Sequence, residues 1–185
     1  MRKTSLIILS LFIAVEGFAD SGFRPSRLWV DAEISAGASL EKLTDNYGIC
    51  EPKSNLATSL LFSAGCYVCP ELSLGLASGV TTFVNPELSY IPVFFDIRTK
   101  PFAFDLMADL KLGTQIVFSG NKYFKRNFCA ELFCGYTVLK RKTFHITPGI
   151  AYNYTGFTVK NTTPDYIPGC RNALSVKLSV GFGGY

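Results

Sequence analysis

The chain has 185 residues, and 18 basic against 14 acidic side chains leave a formal charge of only +4. So small and scattered an excess argues against a nucleic-acid-binding surface, and a single histidine beside six cysteines argues against a zinc centre. Sixteen glycines, 16 phenylalanines and nine tyrosines favour strands and tight turns.

The chain opens with the layout of a secretory signal: Arg2 and Lys3, an apolar stretch from Leu6 to Val15, then the small residues Gly17 and Ala19. Cleavage is expected after Ala19, leaving one domain over residues 20–185. The apolar stretch is shorter than the roughly twenty residues a spanning helix needs.

Beyond the signal, apolar residues recur with a period of two, the mark of strands with one apolar and one polar face. In chain order, Leu28, Val30, Ala32 and Ile34 alternate with Asp31, Glu33, Ser35 and Gly37. Leu56, Leu60, Phe62 and Ala64 stand against Ser59, Ser63 and Gly65, and Leu72, Leu74, Leu76 and Val80 against Ser73, Gly75 and Ala77. The fourth run reverses parity, with Ile91, Val93, Phe95 and Ile97 against Tyr90, Phe94, Asp96 and Arg98. The fifth, read from Phe102 to Gly113, sets Leu106, Leu110 and Leu112 against Asp105, Asp109 and Lys111. Phe128 to Val138, Phe144 to Tyr154 and Leu174 to Phe182 supply the last three, with Glu131, His145 and Lys177 on their polar faces. Each is long enough to cross a bilayer, which takes about 9–11 tilted residues. Long connections fall near Glu41–Ser54, Ser119–Asn127 and Lys160–Arg171, and short ones between them. The pattern predicts an all-β fold, an eight-stranded antiparallel up-and-down transmembrane β-barrel with both termini on the short-turn side.

Direction decides the class. The polar face mixes charge with Gly, Ala and Ser, which suits a cramped lumen, while the large aliphatic and aromatic residues suit lipid. The opposite orientation would make a soluble, lipocalin-like carrier. The stretch Leu88-Ser-Tyr-Ile-Pro-Val-Phe-Phe-Asp-Ile-Arg98, followed by Lys100-Pro-Phe-Ala-Phe104, resembles a hairpin of the small PorT-like and OmpX-like outer-membrane barrels. That resemblance implies a bacterial outer-membrane location and recognition by the barrel-assembly machinery. The chain departs from such proteins at its end, where Gly181 and Gly183 occupy the register of the terminal aromatic Tyr185.

Nine charged residues are expected inside: Asp31, Glu33, Asp96, Arg98, Asp105, Asp109, Lys111, Glu131 and Lys177. Buried charge is costly unless paired, so they should form a network that fills the lumen, with Lys177 near Asp31 or Glu33 and Arg98 near Asp105 or Asp109. Paired carboxylates can also act as acid and base, but no nucleophile and no substrate entry accompany them, so no catalytic residue is expected. His145, two residues before Thr147, superficially matches the spacing of lipid A-modifying barrel enzymes; it lies at the wrong end of its strand for that chemistry and is expected inside the lumen.

Six cysteines allow fifteen disulfide connectivities. A Cys50–Cys170 bridge would join the first and last long loops across the closing seam, with Cys129 as a competing partner. Cys66 and Cys69 sit on a hairpin, away from the helix N-terminus that a redox motif uses. Lys122, Tyr123, Phe124, Lys125 and Arg126 form a basic aromatic loop suited to the phosphates and sugars of lipopolysaccharide. The expected partners are therefore outer-membrane lipid, lipopolysaccharide and the assembly machinery, with no cofactor, metal or nucleic acid. The expected role is a non-enzymatic envelope barrel; an accessory or adhesion module binding a protein partner through its loops is the alternative.

Overall fold

The computed structural model describes residues 28–40, 56–69, 71–84, 88–99, 105–120, 124–125, 128–141, 144–160 and 166–183. The regular structure there is all β: β1 (Leu28–Ser39), β2 (Leu56–Cys69), β3 (Leu72–Phe83), β4 (Leu88–Thr99), β5 (Leu106–Gly120), β6 (Phe124–Lys125), β7 (Phe128–Tyr136), β8 (Leu139–Lys140), β9 (Phe144–Lys160) and β10 (Tyr166–Gly183). The expected signal, residues 1–19, lies outside the described residues.

Eight long strands build the wall in the order β1-β2-β3-β4-β5-β7-β9-β10, each antiparallel to its neighbours. β10 then returns to β1 over a ladder from Trp29↔Gly183 to Ser39↔Ala173, which closes the barrel. Closure removes the unpaired edges that lipid cannot satisfy. Leu28 and Gly183 mark one rim, here the terminal end; the opposite rim is the loop end.

The period of two sorts the side chains. Ile34, Leu76, Leu132 and Val176 are 58%, 59%, 54% and 71% exposed on the outer wall, whereas Asp31, Glu33, Lys111 and Lys177 are at most 1% exposed inside. Parity reverses between β3 and β4, so odd positions of β4 face outward.

Proline explains two lapses in the ladders, because it has no N–H to donate. The β3–β4 pairing stops at Ser78↔Val93 and resumes at Thr81↔Tyr90, with Pro92 in the gap. Ser78 donates its hydroxyl to the Pro92 carbonyl at 2.8 Å. Likewise Pro148 lies between the last β7 rung on β9, Gly135↔Gly149, and the first β8 rung, Leu139↔Ile146. The expected sixth strand, Phe128 to Val138, accordingly ends as β7 at Tyr136, and the short β8 follows it.

Two expected connections need correction. The long connection read as Lys160–Arg171 is mostly strand: β9 runs through Lys160 and β10 begins at Tyr166, paired rung by rung. Cys170 is accordingly a strand residue opposite Gly156, not a loop residue, and Cys50 lies outside the described residues. The fifth strand is described from Leu106, with Asp105 in a bend before it; Phe102 and Phe104 lie outside the described residues. Finally, the Ser119–Asn127 connection contains β6, whose Phe124 and Lys125 pair with Val159 and Thr158 of β9; Lys122, Tyr123 and Arg126 lie outside the described residues.

Candidate functional site

The lumen-facing positions of β1, β4, β5, β7 and β10 carry the charges, and antiparallel register places them at one height in the half of the barrel nearer the terminal end. Asp31 and Glu33 come from β1, Asp96 and Arg98 from β4, Asp109 and Lys111 from β5, Glu131 from β7 and Lys177 from β10. All eight are buried.

Arg98 is the hub. Its guanidinium contacts Asp31, Glu33 (2.7 Å), Asp96 (2.9 Å) and Asp109 (3.8 Å), and stacks over the Trp29 ring with Cζ 3.8 Å from the centroid. A planar fork of five donors can serve several carboxylates at once in a fixed geometry that an ammonium lacks. Lys111 reaches Asp109, Glu33 (3.2 Å), Glu131 (3.4 Å) and Asp96 (3.9 Å). Lys177 meets Glu33 and Glu131 and lies 4.8 Å from the centre of the Phe133 ring. Hydroxyls complete the shell: Ser63 donates to Glu33 at 3.0 Å and accepts from Arg98 at 2.6 Å, while Ser179 donates to Asp31 at 3.1 Å.

The expected pairing of Lys177 with β1 is present, through Glu33. Arg98 reaches Asp109 but not Asp105, and Asp105 is the one member that the structure places elsewhere. It sits on a bend before β5, so strand alternation does not orient it, and its half-exposed side chain lies 3.4 Å from Lys140. His145 is buried at the terminal end, with Nε2 3.6 Å from Asp31 Oδ1.

Five buried carboxylates face three buried cations, and Glu33, Asp109 and Glu131 bring one oxygen each within 4.8 Å of one another. Such a triad has the donor chemistry of a hard-cation site. Here the ammonium groups of Lys111 and Lys177 occupy that role, so the arrangement reads as an ion-pair network. Its chemistry is cohesive: every charge is shared among several partners, and the lumen at this height is filled with side chains.

The large apolar residues inside the barrel were less legible. Trp29, Leu61, Phe83, Met107 and Phe133 are buried on the lumen side, at positions that a simple apolar-out rule would leave to small or polar residues. Glycines could have signalled two of them. A Cβ at Gly75 would approach Trp29 Cζ2 to 2.8 Å, and one at Gly149 would approach Phe133 Cε2 to 2.6 Å. Each ring lies over the space that a neighbouring glycine leaves open.

A closed antiparallel barrel with an apolar outer wall and a charged, filled interior is the construction of a small transmembrane β-barrel. No protein-family model matches the chain, and no curated protein matches it in sequence. Among solved structures it is similar to the outer membrane protein AlkL, determined by solid-state NMR in DMPC lipid bilayers, with a TM-score of 0.52 at 13% identity over 88% of this chain and 92% of that one. It is also similar to Neisserial surface protein A, NspA, with a TM-score of 0.58 at 13% identity over 84% of this chain and 96% of the other. At that identity the similarity is one of fold, that of the small outer-membrane barrels.

Proposed function

We propose that the protein is a non-enzymatic barrel of the bacterial outer membrane, exported with loss of residues 1–19, whose lumen is closed and whose activity lies at the loop end. The observation that carries this reading is the Arg98 hub, which draws carboxylates from β1, β4 and β5 together across the interior. An eight-stranded barrel is wide enough for its own side chains and little more, and here those side chains are mutually paired. The resemblance of the Leu88–Phe104 hairpin to PorT-like and OmpX-like barrels supports the same class and makes the barrel-assembly machinery the partner in insertion.

A loop-mediated interaction is the second reading, and one feature favours it. The β9–β10 hairpin remains paired out to Tyr166↔Lys160, past the last described contact of the seam, Leu40 N–H to the Asn172 carbonyl. β6 pairs along its flank. Lys122, Tyr123, Phe124, Lys125 and Arg126 belong to or border β6 in sequence and carry basic and aromatic groups suited to lipopolysaccharide or to a protein partner.

The test is fractionation followed by a gel with and without boiling. The reading predicts that the protein is found with outer-membrane material and migrates faster unboiled than boiled. Recovery in a soluble periplasmic extract, with no heat-dependent shift, would overturn it.

A further inference from the structure

The interior has two storeys. Toward the terminal end lies the charged cluster. Toward the loop end, Leu61, Ala77, Phe94 and Cys129 form one buried apolar group, and Ala57, Phe83, Tyr90 and Ala173 form another. Most strands follow this order; β10 adds one charge to the upper storey, Arg171, buried with its Cζ 4.2 Å from the centre of the Phe83 ring. Along β4 the lumen-facing residues run Arg98, Asp96, Phe94, Tyr90 from the terminal end; along β7 they run Phe133, Glu131, Cys129; along β2 they run Ser63, Leu61, Ala57.

The two storeys differ in their surroundings. A cavity at the terminal end is lined by Trp29, Tyr67, Glu71, Asp31, Arg98 and His145, so it ends on the outermost members of the charged cluster, which are themselves buried. The upper storey is pinned across the barrel. The Tyr90 and Thr155 hydroxyls, on β4 and β9, are 3.0 Å apart, and Gln115 of β5 donates to the Gly156 carbonyl at 2.6 Å. The Phe83 ring lies 6.1 Å from that of Tyr90.

We propose that the permeability barrier of this barrel is the apolar storey formed by Leu61, Phe83, Tyr90 and Phe94, and that the charged storey, filled and buried as it is, ties the strands together without being the layer that stops ions. Charged groups attract water and ions, and these have alternatives to exchange among: Glu33 alone is shared by Arg98, Lys111 and Lys177. An apolar constriction stops ions by excluding the water that must accompany them. The ionic cluster then holds the strands together while the aromatic layer holds the lumen shut. This rests on the closed-lumen reading above and assigns the closure to named residues.

The test is conductance of the purified full barrel in planar bilayers, with retention of the heat-dependent gel shift as the check of folding. Three proteins are compared: the unaltered chain, a Leu61→Ala/Phe83→Ala/Phe94→Ala variant, and a Glu131→Gln/Lys177→Met variant that removes one charge of each sign. Small-ion current is expected from the apolar variant alone. Current from the charge variant with none from the apolar one would overturn the inference and leave the closed-lumen reading standing. Current through the unaltered chain would overturn that reading itself. Should the triple variant fail to fold, Cys129 serves as reporter in a chain whose other cysteines are replaced by serine or alanine. A charged thiol reagent added on the loop side should then label Phe94→Ala several-fold faster than its parent, and equal rates would overturn the inference.

Discussion

Asp31 and His145 meet across a strand that separates them, and the residue between them is Gly181. In the ladders Gly181 is the partner of Asp31 on one side and of His145 on the other, and His145 Nε2 lies 3.6 Å from Asp31 Oδ1. A Cβ on Gly181 would overlap both the Asp31 carboxylate and the His145 ring. Gly181→Ala should therefore destabilise the barrel by about 1–3 kcal/mol, the usual cost of overpacking a filled interior. Urea unfolding in lipid vesicles would measure it. Adding His145→Ala to that variant should recover part of the loss, because it empties the space the new methyl needs; a double variant worse than the single would count against the packing argument.

Removing the hub should cost more. Arg98→Ala leaves Asp31, Glu33, Asp96 and Asp109 short of a cation, and breaking a buried pair by deleting one partner costs about 3–5 kcal/mol. Arg98→Lys should also lose stability, though less, since an ammonium cannot reproduce the fork or the stacking over Trp29. Equal stability of the Lys variant and the unaltered chain would show that only the charge matters.

Asp105 provides the contrast. Its pair with Lys140 is about half exposed on both sides, and surface ion pairs contribute about 0–1 kcal/mol. Asp105→Asn should shift the unfolding midpoint little, while Asp109→Asn, four residues on and buried, should shift it clearly. Comparable shifts for the two would contradict the placement of Asp105 outside the lumen.

The alternation of side chains made eight strands, their facing and the reversed parity of β4 legible before any coordinates, because a period of two follows from strand geometry alone. Where that geometry ended, so did legibility. Asp105 shares parity with Asp109 and Lys111 yet precedes the strand, so parity says nothing about it. The Lys160–Arg171 stretch, with Pro168 and Gly169, reads as a connection in sequence, yet both residues lie within β10, where pairing with Thr158 and Phe157 of β9 overrides it. The same override puts Cys170 in a strand rather than a loop. Among the charges, residue type and face were readable, but the many-to-one sharing around Arg98 and Glu33 depends on distances across the lumen that no local pattern encodes.

The single tryptophan makes one of these hidden contacts observable. Gly65 and Gly75 leave room for the Trp29 indole, whose Cζ2 would stand 2.6 Å and 2.8 Å from a Cβ on each. Gly75→Val should displace the ring from its buried site toward solvent at the terminal end. The expected result is a red-shifted emission maximum and readier quenching by iodide. An unchanged spectrum in a folded variant would mean that Gly75 does not set the position of Trp29.

The direction of the wall is the central claim, and arginine on the lipid-facing surface tests it most directly. Leu132 and Leu76 lie within their strands on the outer face, 54% and 59% exposed. Folding of Leu132→Arg and Leu76→Arg should be measured in lipid vesicles against the unaltered chain. The account predicts a loss of about 2–4 kcal/mol if these sites lie near the bilayer midplane, falling toward the interfaces. Arginine tolerated at both positions without loss of stability would mean that this surface faces water, and the barrel would not be a membrane barrel.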